Sequence, residues 1–358
     1  MTAFDLHKLL RDVFAPDERD TAVVMVDVPT GTIADNPDWV ERRHMAEIWR
    51  QGLLDLGVNV LPLLEYPATG ANNGDLPAKG KQAGVTVGME AVLSTATLVI
   101  AMTRYSATAP LSALTRRYPA LRAASMPNVL RRMEQSALAA DYREVARKAT
   151  RMAEWLTRAE SAEVVFATGH RLVFDLRFRI AHADDGMCRR DKTGFRVINL
   201  PSGEAFIVPY EGEIPEEPSR TAGEIPLHWK GHVYVLPVER NRIIEVRGDG
   251  PDLDALRAHF ALDPARRNVA ELGLGCNDRA LITGNVLEDE KAGFHWAYGR
   301  SEHLGGTVGP DRFSHPDHVV HHDVVYAPGC PIEVTRLDLI DAAGQHRTVI
   351  QDGQYVGV

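Results

Sequence analysis

Near residue 160 the apolar pattern of this chain changes from one that places helices between strands to one built almost wholly of short strands. Before that point, Thr21-Ala-Val-Val-Met-Val-Asp-Val28 has the length and composition of a buried strand. Trp39 to Leu56 follows with helical spacing, with Val40, Met45, Ile48, Trp49, Leu53 and Leu56 on one side. Val58–Leu64 and Thr97–Met102 read as further strands, and Asp141–Glu160 as a long, polar-faced helix. Strands alternating with helices imply a parallel sheet with covering helices, so residues 1–160 are expected to form an α/β domain of Rossmann-like topology. From Ala162 the runs are short and rich in β-formers: Glu163–Ala167, Arg171–Leu176, Ala205–Val208, His232–Leu236 and Arg242–Val246, punctuated by Gly and Pro. One helical segment intervenes at Asp252–Leu262, and Glu211–Arg220 reads as a surface loop. Residues 161–358 are therefore expected to form an α+β, largely antiparallel domain.

Several function classes are disfavoured at once. A formal charge of −9 gives no electrostatic basis for nucleic-acid binding. No apolar run reaches the ~18 residues needed to cross a bilayer. The opening Met-Thr-Ala-Phe-Asp-Leu-His-Lys lacks the pattern of a secretory signal, so a cytoplasmic location is expected. Cys188, Cys276 and Cys330 are odd in number and far apart, which fits neither a disulfide framework nor a Cys-x-x-Cys zinc site. The first strand is followed by Pro29-Thr-Gly-Thr-Ile, with no Gly-x-Gly-x-x-Gly, and no phosphate-binding P-loop motif occurs elsewhere. A Rossmann-like sheet here carries no expectation of a dinucleotide.

The chemistry-bearing residues lie in the second half. In Val319-Val-His-His-Asp-Val-Val-Tyr326, His321 and Asp323 are two apart on a strand and project from the same face. Burying that pair without compensation is costly, and a divalent cation removes the difficulty because both groups are good ligands. Three more segments place ligand types at strand ends or turns: Asn199-Leu-Pro-Ser-Gly-Glu204, Ala270-Glu271-Leu-Gly-Leu-Gly275 and Gly293-Phe-His295-Trp-Ala-Tyr-Gly299. Taken alone, a glutamate at a strand end is usually a solvated or salt-bridged side chain, and a lone strand histidine is more often hydrogen-bonded structure than a ligand. Spacing does not separate His321 and His295 from His303, His315, His318 or His322, the last of which faces away from His321.

In series, these segments, with Leu287-Glu-Asp-Glu-Lys291 before Gly293-Phe-His295 and with Arg171–Leu176 and Ala183-Asp-Asp-Gly186 leading in, resemble the ordered signatures of the thermophilic metallo-aminopeptidases of the aminopeptidase T and S type. The resemblance covers the second half; the first half is similar only in its α/β character. It implies two divalent metals (Zn, Co or Mn) held by Glu204, Glu271, His295, His321 and Asp323, with one carboxylate bridging. It also implies an activated water as nucleophile, a homodimer or higher homo-oligomer, and a short-peptide or small-molecule substrate. Cys276, beside the second motif, is then packed and inert.

Where that family continues through Gly-Arg to a tyrosine, this chain has Tyr298-Gly-Arg300-Ser-Glu302-His303. Glu302 is then either a general acid/base or a loop residue, and Arg300 either grips a substrate carboxylate or forms a structural ion pair. The chain also looks shorter than typical members, as if loops were trimmed. Specificity is expected in loops such as Met102–Pro110, with Arg104 and Tyr105 at a strand end, and Gly299–Pro316. More distant resemblances are to a nitroanthranilate aminohydrolase and to 2,5-dihydroxypyridine dioxygenase. The latter implies one iron held by two histidines and an aspartate, with a histidine in place of Glu271 and no acidic counterpart of Glu204. Both glutamates favour the hydrolytic arrangement. His321, Asp323 and one further histidine would still form a facial triad for non-haem iron.

Overall fold

The computed structural model describes residues 4–358, so the first three residues of the opening segment lie outside it. Two compact units emerge, and neither is continuous in sequence. One holds the chain through Ala146 together with Asp184–Gly203 and Asn277–Glu288; the other holds Arg147–Ala183, Glu204–Cys276 and Asp289–Val358. The sequence reading draws a single boundary at 160/161, whereas the chain passes between the units five times.

The first unit is built on a mixed sheet. Thr21–Val28, Leu64–Pro67, Leu98–Ala101, Arg122–Ser125 and Val197–Asn199 pair in parallel, and Lys79–Gln82 and Val85–Gly88 extend one edge antiparallel. Its central strand is covered on both faces. Ala22, Val24 and Val26 pack with Leu10, Met45, Trp49 and Leu53, while Val23 and Met25 pack with Met89, Leu93 and Leu111. That explains why Thr21–Val28 reads as a nearly continuous apolar run rather than an alternating one.

The helix runs Pro37–Asp55, with Asn36 capping its start and Pro37 in its first turn. Its buried stripe is Trp39, Arg42, Met45, Ala46, Trp49 and Leu53. Val40, expected on that side, is exposed, because it stands one residue, or ~100°, off the stripe. The expected strand Val58–Leu64 is split into Asn59–Val60 and Leu64–Pro67; Pro62, without an N–H, sits between them. Arg104 and Tyr105 serve the strand ends: their backbone N–H groups donate to the buried Asp27 carboxylate at 2.8 and 3.1 Å.

The second unit has two antiparallel sheets over one core. The larger runs in the order Arg242–Ile243, His232–Glu239, Ala222–Trp229, Arg171–Asp175, Ala159–Phe166, Val334–Asp341, His346–Gln351 and Gln354–Tyr355. In the smaller, Glu204–Ile207, Val269–Gly275, Phe294–Gly299 and His321–Tyr326 pair in that order. Ala205, Ile207, Leu272, Leu274, Phe294, Trp296, Tyr298 and Tyr326 of the smaller sheet join Phe166, Phe174 and Leu337 of the larger in that core. Among the described residues, no helix is long and apolar enough to cross a membrane.

A buried ion pair organises the base of the first sheet. Arg122 donates from Nη1 and Nη2 to Asp20 at 2.7 and 2.8 Å, with both side chains 1% exposed or less, and from Nε to the Cys188 carbonyl at 2.8 Å. The inserted segment Asp184–Gly203 is tied to the sheet through the same two residues, since Asp20 also pairs with Arg190 at 2.9 Å. Removing one partner strands the other in a dry site, so Asp20→Ala should cost about 3–5 kcal/mol in chemical denaturation. Burial pushes the Asp20 carboxyl up, but Arg122 and Thr97 hold it below the ordinary aspartate value overall. Its stabilisation is therefore complete above the unfolded-state pKa and is lost as pH falls through the lower folded value. The gap in stability between wild type and Asp20→Ala should narrow progressively below about pH 4.

Candidate metal centre

The smaller sheet of the second unit has one greasy face and one charged face, and strand alternation produces both. Cross-strand register aligns Glu204 with Gly275, Gly273 with His295, Glu271 with Ala297, Ala297 with Asp323, and Gly299 with His321. The face opposite the core thus carries Glu204, Glu271, His295, His321 and Asp323, interleaved with Gly273, Gly275, Ala297 and Gly299. The small residues make room. A Cβ on Gly273 would lie 2.0 Å from His295 Nε2, so this imidazole lies directly over bare backbone. A Cβ on Gly275 would meet the Glu290 carbonyl at 2.2 Å, because the segment leading into the third strand crosses there.

All five side chains expected as ligands converge. Glu204, Glu271 and His295 form one group, and Glu271, His321 and Asp323 a second; within each group the ligand atoms lie within 4.8 Å of one another. Glu271 belongs to both. Its Oε1 is 3.7 Å from His295 Nε2 and its Oε2 is 3.1 Å from His321 Nε2. Glu204 Oε2 is 3.3 Å from His295 Nε2, and Asp323 Oδ1 is 3.4 Å from His321 Nε2.

Both rings are oriented from behind. His321 Nδ1 is 2.7 Å from the Arg300 carbonyl and His295 Nδ1 is 3.3 Å from the Gly293 carbonyl. A proton on Nδ1 satisfies each carbonyl and leaves Nε2 as the nitrogen that faces the carboxylates, where it holds either a proton or a metal.

The charge state follows from this crowding. Burial pushes the Glu204 carboxyl up, but the Lys291 ammonium and His295 bring it down to about 2. Burial opposes ionisation of Glu271 as well, and His295 and His321 bring it to about 2. Asp323 is lowered chiefly by His321 against its burial. Burial lowers both imidazoles, yet the carboxylates around them raise each well above the ordinary histidine value. Two buried carboxylates and a third nearly buried demand positive charge.

A divalent cation fits the donor set. Glu204 Oε2 and His295 Nε2 are buried atoms without a hydrogen-bond partner, and their 3.3 Å approach is not directed as a hydrogen bond. Two orphaned ligand-type atoms facing one another in a dry site are what a bound cation would satisfy.

Arg300 and Glu302 lie near this cluster but are bonded to each other. Arg300 Nε and Nη2 each donate to Glu302 at 2.5 Å, and Arg300 lowers the Glu302 carboxyl. His303, indistinguishable by spacing, stands edge-on to His321 with ring centres 4.8 Å apart. Burial pushes it down to about 4. His322 faces the other way, against Tyr298 and Trp229. His318 is held by Asp263 and Ser314, and His315 is exposed. Lys291 belongs to the cluster although no sequence pattern marks it: its ammonium is fully buried, 2.6 Å from Glu204 Oε1 and 2.7 Å from Glu290 Oε1. The sequence offers only its place two residues before Gly293-Phe-His295.

No family model matches the sequence, and no curated protein matches it. Solved structures do. 2,5-Dihydroxypyridine dioxygenase from Pseudomonas putida KT2440 is similar over 100% of this chain and 99% of that one, at TM-score 0.65 and 17% identity. Wild-type AmpT from Thermus thermophilus is similar over 98% of both chains, at TM-score 0.60 and 15% identity. The fold is therefore shared over nearly the whole chain with two of the proteins that the motifs resemble. Against this AmpT chain the shortening expected from the sequence is not seen.

The contact between Gly273 and His295 gives a direct test of the geometry. Gly273→Ala should displace the His295 ring and weaken divalent-cation binding by about 10–100-fold, the range seen when ligand orientation is disturbed. The far-UV spectrum should stay unchanged. Isothermal titration of Zn²⁺ or Mn²⁺ into the stripped protein, beside Gly31→Ala as a control in open space, reads the effect.

Proposed function

We propose that this chain is a divalent-metal-dependent hydrolase acting on an amide or other C–N bond, aminopeptidase-like, with a short peptide or small molecule as substrate. The observation that supports it is the pair of carboxylate–imidazole groups meeting on Glu271, one oxygen toward each histidine. Glu204, Glu271 and His295 would hold one cation, and Glu271, His321 and Asp323 the other. Mixed nitrogen and oxygen donors suit Zn, Co or Mn. A bound pair of dications supplies Lewis acidity toward a carbonyl and a water of lowered pKa.

The chain's own groups do the rest. The Gly293 and Arg300 carbonyls keep both imidazoles in the ligating tautomer. Three carboxylates nearly balance two dications. The ion-paired Arg300 and Glu302 are proposed to act at the substrate, Arg300 on a carboxylate and Glu302 in proton transfer. Part of the same proposal, from the motif resemblance and the composition, are a homodimer and a cytoplasmic location.

A second reading has an observation of its own. His303 stands edge-on to His321, and with His321 and Asp323 it would complete a set of two histidines and one carboxylate, the donor pattern of non-haem iron sites. On that reading the chain is a ring-cleaving dioxygenase, like the neighbour from Pseudomonas putida. Glu204 and Glu271 weigh against it, since both point their carboxylates into the same cluster.

Protein purified without added metal should carry about two Zn, Co or Mn per chain and release an amine or ammonia from its substrate. Glu204→Ala and His321→Ala should each abolish turnover and lower bound metal while leaving the far-UV spectrum close to wild type. One iron per chain with oxygen uptake would transfer the assignment to the dioxygenase.

A further inference from the structure

The two groups that share Glu271 are not equivalent, and the difference lies in Lys291. Its ammonium is fully buried and bonded to Glu204 Oε1 at 2.6 Å, so one oxygen of that carboxylate is already engaged by a cation. Glu204 offers only Oε2, the oxygen without a hydrogen-bond partner. The lysine is held in place. Its second partner, Glu290, lies at 2.7 Å, and the backbone around both residues rests on Gly275, where an added Cβ would come within 2.2–2.7 Å of Glu290, Lys291 and Gly293 atoms. In the other group the situation is different. Among the described residues, the ion-pair partners of Glu271 and Asp323 are the imidazoles of His295 and His321, with no lysine or arginine.

We propose that Lys291 makes the two half-sites unequal. Glu271, His321 and Asp323 take a divalent cation first and hold it tightly; Glu204, Glu271 and His295 take the second weakly and exchangeably. This rests on the two-cation reading above. A cation arriving at Glu204 shares that carboxylate with a fixed ammonium, and like charges a few ångströms apart repel strongly in a site with little water. Lys291 cannot step aside, because its ammonium is wholly buried between Glu204 and Glu290. Lys291 is thus a positioning residue: it fixes which Glu204 oxygen is offered and sets how firmly the second cation is held.

The test is Zn²⁺ titration of the metal-stripped full chain against a chromophoric chelator, with bound metal counted independently. Wild type should show two equivalents whose dissociation constants differ by roughly tenfold or more. Asp323→Asn should remove the tight equivalent and Glu204→Gln the weak one. Lys291→Met should tighten the second equivalent toward the first. Two equal equivalents, loss of the tight one in Glu204→Gln, or a second constant unmoved in folded Lys291→Met would overturn the inference and leave the two-cation reading standing. One equivalent or none in wild type would remove the two-cation reading and this inference with it. Should Lys291→Met fail to fold, the order of loss in the other two variants still decides.

Discussion

Three carboxylates gathered in a dry space are the constraint around which the second unit is arranged. Glu204 and Glu271 are buried and Asp323 nearly so, and each has another acid of the cluster for a neighbour. Like charges this close are tolerable only where positive charge is built in or bound. The chain provides one fixed ammonium at Lys291 and two imidazoles that can carry either a proton or a metal. Each histidine has its far nitrogen on a backbone carbonyl, so its near nitrogen is committed to the carboxylates.

The sheet that presents these groups also forms half of the hydrophobic core. Leu272, Leu274, Phe294 and Trp296 bury one face, while their strand neighbours Glu271, Gly273 and His295 form the other. A register slip of one residue would exchange the two sets, so core burial enforces the geometry of the charged face. The glycines have a related role. Gly273 lets an imidazole lie on the strand, and Gly275 lets a second layer of chain approach closely enough to insert Lys291. Precision at the cluster comes from stiff strands and absent side chains rather than from loops.

Much of this was legible in the sequence, and the rest was hidden for identifiable reasons. Thr21–Val28 is legible to the residue because a doubly covered parallel strand announces itself as an apolar run. Arg122–Ser125 and Val197–Asn199 are not legible: Arg-Ala-Ala-Ser has no β-branched residue, and a three-residue strand shows no period. Val197–Asn199 also returns to the first sheet from late in the chain, a long-range pairing that no local pattern encodes. The five acidic and imidazole side chains were legible because each lies in a segment with its own motif, and they converge. His303 and Lys291 carry no such local signal. Their significance comes from what lies across space, an imidazole edge for one and two carboxylates for the other.

The central claim is that Glu271 stands between two cation positions. Anomalous diffraction from crystals of the Zn²⁺- or Mn²⁺-loaded protein tests it most directly. The account predicts two peaks flanking the Glu271 carboxylate, one beside His295 and Glu204, the other beside His321 and Asp323. A single peak bound by His321, Asp323 and His303, or peaks remote from Glu271, would contradict it.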